Sequence, residues 1–181
     1  MRVRIAQAVA LLSTGLLTGA FGYGAANLVP TFRAVPLDMR LDFHTQLMTM
    51  NGITMQTAMA LSFLSSLTLA VLARGRARLL AGVAALLALA SFLITRFGNV
   101  PINGRIKEWA ASSAPADYAE FLHRWELFNL ARTSTALLAF VLLIALVVSG
   151  PRGEDAITDA ITDTDADADA DHAGPPARRR P

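Results

Sequence analysis

Four long apolar runs organise this chain. No Asp, Glu, Lys or Arg occurs from Ile5 to Phe32, Phe43 to Ala73, Leu79 to Thr95 or Thr133 to Pro151. A helix rises 1.5 Å per residue and needs about 20 residues to cross a hydrocarbon core. Each run reaches that length except the third, which does so if Arg96 lays its stem in lipid and lifts its charged head to the interface. A backbone inside a bilayer must satisfy its own hydrogen bonds, so the runs read as helices. The pattern predicts an all-α fold: a four-helix transmembrane bundle over residues 1–150, with spans near 5–29, 51–73, 77–98 and 128–149. A short interfacial helix is expected between the third and fourth spans.

Residues 151–181 read differently. From Glu154 to Asp171 there are eight acids and no base. Such a segment buries too little apolar surface to offset its chain entropy, so it is expected to be a disordered acidic tail. A cleaved signal peptide competes for the first run, because Arg2 and Arg4 precede it. The stretch from Ile5 to Val29 is longer than the usual signal core of roughly 7–15 residues, which favours a retained span.

Charge then sets the orientation. The turn between the second and third spans carries Arg74, Arg76 and Arg78 without an acid. Basic residues favour the cytoplasmic side, so a multi-pass protein of the cell membrane with both termini in the cytoplasm is expected. The lipid bilayer is its main partner, and nothing in the chain suggests nucleic acid. The absence of cysteine removes disulfides and thiolate metal sites, and no metal site is predicted. A haem bundle would want histidines within facing spans, and spans one, three and four have none. A transporter is disfavoured too, because no acid falls within a span.

The polar residues collect at one end. All five asparagines, both tryptophans, both tyrosines, His44 and His123 map to the non-cytoplasmic ends of the spans. An aromatic belt would mark both faces; one face alone suggests a site. On a helix before and through the fourth span, capped at Ser113, residues Tyr118, Phe121, Trp125, Asn129, Arg132 and Ala136 form one stripe at the 3.6-residue period. That stripe should face the interior, because Arg132 is costly in lipid. His123 falls on the opposite side. On a second helix starting near Asp38, residues His44, Met48, Asn51 and Met55 share a face. Arg96, Asn99 and Asn103 share another, where Pro101 should kink or end the helix. Beyond it, Ile102, Ile106, Trp109 and Ala110 form an apolar edge suited to lying flat as a lid. Gly15 and Gly19 make a small-xxx-small pair that suggests close helix packing.

With these residues in place, the chain resembles a family of small four-span membrane proteins that includes the anthrone oxygenases. The resemblance runs from about Gly15 to Val148. It rests on G-L-L-T-G-A and P-T-F-R-A-V-P in and after span one and on Asn51. N-V-P-I-N with Trp109, and R-W-E-L-F-N-L-A-R-T, complete it. It implies a cofactor-independent oxidation of a phenolic polycyclic or quinol-type lipophile by oxygen. It implies His44 as base, and Arg96 and Arg132 as the cations that stabilise the anion. Asn51, Asn99, Asn103 and Asn129 would orient the oxygens, and Trp109 and Trp125 would stack on a hydrophobic aromatic small molecule. Two other readings stay open. The asparagines can instead join helices while the arginines reach headgroups. The same cavity can serve a non-enzymatic membrane protein that binds a lipophile or a partner protein.

Overall fold

The computed structural model describes residues 1–149, so the acidic tail expected after them lies outside the described residues. The described chain is all helical. It runs α1 (Arg2–Tyr23), a π-turn (Gly24–Leu28), α2 (Val29–Ala34), α3 (Leu37–Leu72), α4 (Gly75–Ile94), a second π-turn (Thr95–Asn99), α5 (Val100–Ala111) and α6 (Tyr118–Val148). Four continuous helical runs, Arg2–Ala34, Leu37–Leu72, Gly75–Ala111 and Tyr118–Val148, are long and apolar enough to cross a membrane.

Short connections dictate the topology. Val35 and Pro36 join the first run to α3, and Ala73 and Arg74 join α3 to α4, so neighbouring runs pack antiparallel. Helix α1 packs on α3 and α6, and α4 packs on the same two. Gly75 follows the second connection at φ 55°, a left-handed conformation that glycine adopts without the Cβ clash. Arg78 secures the same corner by donating from Nε to the Ala73 carbonyl at 3.0 Å.

The core changes character along the bundle. One end is built on Ala6, Ala10, Ala70, Ala81, Ala84 and Ala139 with Leu69, Leu143 and Leu146. Small side chains let helix backbones approach closely, which matters where lipid removes the hydrophobic drive between helices. Gly15 continues this packing: a Cβ there would sit 2.9 Å from the Phe140 ring. Gly19 does not, since a Cβ there would meet no atom within 4 Å. Thr18 donates to the Ala136 carbonyl and Ser91 to the Arg132 carbonyl, both at 3.0 Å, and these bonds tie α1 and α4 to α6. The other end is aromatic, with Phe32, Trp109 and Trp125 packed among Leu41, Ile102, Ile106 and Leu122. Leucines, valines and isoleucines remain exposed around the bundle, as a lipid-facing surface requires.

Three local expectations change. The fourth run starts at Tyr118, and Ser113 is no cap. Pro115 biases Ala114 away from helical backbone, and a turn at Asp117 intervenes, with Glu120 N donating to the Asp117 carbonyl. Pro101 does not end the third run. It occupies the first turn of α5, where a proline lacks no needed hydrogen bond, and the π-turn before it lets the helix continue. The segment after Pro101 is therefore an extension of the third run, and its apolar edge is buried against protein: Ile102, Ile106 and Trp109 join the aromatic cluster.

Candidate functional site

The two π-turns fall at the same end of the bundle and share a local sequence logic. Each precedes a helix with a proline in its first turn, Pro30 in α2 and Pro101 in α5. Wide turns of this kind insert one residue into the helical register, and they recur at functional sites. Among the cavities at this end, two meet at the Arg132 side chain.

The larger cavity, about 290 Å³, lies between α1, its π-turn, α3 and α6. Phe21, Met48, Met55 and Trp125 supply apolar wall, and Asn51, Asn129 and Arg132 supply polar groups. Tyr23 is 62% exposed at its edge. The smaller cavity, about 80 Å³, lies on the side of the second π-turn and α5. Met48, Asn51, Met55, Trp125 and Arg132 line both, so these five residues form a common wall.

Arg132 is the chemical centre of that wall. Its guanidinium donates from Nε and Nη2 to the Asn129 Oδ1, at 3.1 and 2.6 Å, and its Cζ lies 4.4 Å from the centre of the Phe21 ring. Among the described residues no carboxylate pairs with it. A cation held by an amide oxygen and a ring face, beside an apolar cavity, is equipped to hold an anionic oxygen.

A second network stands behind the wall. Asn103 Oδ1 accepts from the Trp125 indole Nε1 at 2.7 Å and faces His44 Nε2 at 3.3 Å. An oxygen already accepting from an indole can only accept again, so His44 carries its proton on Nε2. His44 Nδ1 is then a lone pair, buried and without a partner among the described residues. The imidazole is fully buried, stacked on Phe32 at 5.1 Å and edge-on to Trp125 at 4.6 Å. It lines neither cavity. Asn99 binds the bundle to itself, donating from Nδ2 to the Trp125 carbonyl at 3.0 Å.

The sequence-predicted site residues therefore divide. Asn51, Asn103, Trp125, Asn129 and Arg132 gather at the cavities, His44 and Asn99 lie directly behind, and two residues stand apart. Trp109 packs edge-on to Phe121 at 5.9 Å in the aromatic cluster, away from both cavities. Arg96 is exposed on the surface of the third run, because the extra residue in the π-turn rotates it off the face of Asn99. Phe21 is a wall residue the sequence did not mark; it reads as one more phenylalanine in an apolar run. An ion-pair cluster also went unforeseen: Glu126 takes Arg33 through Oε2 at 2.6 Å and Arg40 through Oε1 at 3.1 Å.

A polytopic helical membrane protein with a cation-bearing, aromatic-walled cavity at one end is the class this geometry defines. The model of the anthrone oxygenase family matches residues 43–142, more than half of the 181-residue chain, and the chain belongs to that family. The matched segment holds every predicted site residue from His44 to Arg132, while the first-span motifs G-L-L-T-G-A and P-T-F-R-A-V-P precede it. Neither a curated protein nor a solved structure matches the chain.

Proposed function

We propose that the chain oxidises a phenolic polycycle or quinol-type lipophile with dioxygen, without a cofactor, in the cavity between α1, α3 and α6. The observation that carries this reading is Arg132, a cation without a carboxylate on a mostly apolar wall. An activated ring methylene loses a proton to give a delocalised enolate, whose oxygen the guanidinium stabilises where its charge develops. Asn51 and Asn129 orient the ring oxygens, and Trp125 and Phe21 flank the rings. In the net reaction the methylene loses two hydrogens. One oxygen atom becomes the new carbonyl and the other leaves as water.

His44 has the free lone pair a base requires, but it lines neither cavity and packs edge-on to the Trp125 indole, which lines both. We assign it the positioning of Asn103 and Trp125. A base would leave its titration in the rate profile, so His44→Gln should lower turnover without removing a limb of that profile. The decisive measurement is oxygen uptake by the protein in lipid nanodiscs, with anthrone as the probe. One dioxygen should be consumed per quinone formed. Binding that quenches tryptophan fluorescence, without uptake above protein-free nanodiscs, would make the chain a lipophile-binding protein instead.

The same reading places both termini in the cytoplasm, on the strength of the acid-free turn at Arg74, Arg76 and Arg78. Single cysteines at Arg76 and Ser112 in this cysteine-free chain should react with an impermeant thiol reagent from opposite sides. In intact cells Ser112→Cys should label and Arg76→Cys should not. The reverse pattern would invert the orientation, and labelling of both would overturn the four-span topology.

A further inference from the structure

The smaller cavity shares a wall with the larger one, and its size suits a different molecule. We infer that it is the dioxygen subsite of the oxidation proposed above, on which this inference rests. Its volume, about 80 Å³, is small for a fused tricycle and ample for a diatomic. Its polar lining is Asn51, Gln56, Thr95, Asn103 and Arg132 beside the Trp125 indole. Thr95 Oγ1 donates to the Ser91 carbonyl at 2.9 Å, and Asn103 Oδ1 faces both Trp125 and His44. The apolar lining is Met48, Met55 and Met59 with Gly52 and Val100. Three polarizable thioethers give dispersion contact to an apolar gas that forms no strong hydrogen bonds.

The shared wall makes this position productive. Arg132 lines both cavities, so one guanidinium attends the enolate on one side and reduced oxygen on the other. The enolate passes one electron to dioxygen, leaving a carbon radical and superoxide, an anion the same cation attracts. The pair then forms a carbon–oxygen bond, and the resulting peroxide takes up a proton. Loss of the second methylene proton with cleavage of the O–O bond gives the ketone and hydroxide, which combines with a proton as water.

Two glycines allow the cavities to be closed one at a time. A Cβ at Gly52, in the smaller cavity, meets no atom within 4 Å. One at Gly24, in the larger, meets only a Leu28 methyl at 4.0 Å. The first measurement is quenching of Trp125 fluorescence by dissolved dioxygen, in a Trp109→Phe background that leaves one indole. Gly52→Leu should cut the quenching constant about twofold or more by filling the space beside the indole. Gly24→Val should leave it unchanged and weaken anaerobic binding of anthrone. In turnover, Gly52→Leu should raise the KM for dioxygen about fivefold with little change in the KM for anthrone. Quenching that is untouched by Gly52→Leu, or reduced equally by Gly24→Val, would overturn the subsite. Selective loss of quenching in a protein that oxidises nothing would support the gas site and refute the proposed reaction, so the two claims fail separately.

Discussion

Arg132→Leu should reduce turnover about 10²–10³-fold, the loss expected when a preorganised charge is removed from a developing anion. It should also destabilise the protein, because the Asn129 oxygen gives up both of its bonds to the guanidinium. A buried acceptor orphaned in this way costs about 1–3 kcal/mol. Both effects set the site apart from a lipid-facing position, where leucine would be neutral or stabilising. Arg132→Lys keeps the charge but not the forked geometry that reaches Asn129 twice, and should fall between the two. His123→Ala, exposed on the far side of α6, should change stability by no more than about 0.5 kcal/mol. Thermal unfolding in detergent and oxygen uptake read the two effects independently. An Arg132→Leu protein with unaltered stability and turnover would remove the cavity from the functional account.

Much of this arrangement was legible in the sequence, for identifiable reasons. The charge-free runs revealed the four helices because a bilayer tolerates little else. The Trp125, Asn129 and Arg132 stripe was legible because one uninterrupted helix carries all three, and the simple period holds across it. The same reasoning failed for Arg96. The π-turn at Thr95–Asn99 shifts the register by one residue, and an assumed 3.6-residue period then assigns the wrong face. It also failed for Ser113, since a proline two residues on outweighed a good capping residue. His44 was legible as a buried polar residue on the Asn51 face, but its separation from the cavity depends on where the Trp125 ring packs. That is a tertiary fact with no local trace. The partners of Glu126 were hidden for the same reason. Arg33 and Arg40 lie more than eighty residues away, and in the sequence all three look like ordinary charges at a membrane surface.

That hidden cluster carries the largest expected effect on stability. Glu126 joins three elements: α6 through its own backbone, α2 through Arg33 and α3 through Arg40. The two arginines are not equivalent. Arg33 has a side chain 62% exposed, while Arg40 and Glu126 are each at 9%, with the Arg40 Cζ 5.6 Å from the centre of the Phe32 ring. Glu126→Leu would leave Arg40 buried without a counter-charge, and breaking a buried pair from one side costs about 3–5 kcal/mol. Arg33→Gln removes only a solvated partner and should cost about 1 kcal/mol or less. The double replacement Arg40→Leu with Glu126→Leu removes both buried charges, and should recover most of the loss, because a buried pair exchanged for apolar packing is often neutral. The coupling between the two positions is then read from the thermal unfolding of wild type, both single variants and the double variant. Glu126→Leu unfolding no earlier than Arg33→Gln would show that the cluster is a surface ion pair. The tie of α2 and α3 to α6 would then rest on apolar packing, in which Phe32, His44 and Trp125 meet ring to ring.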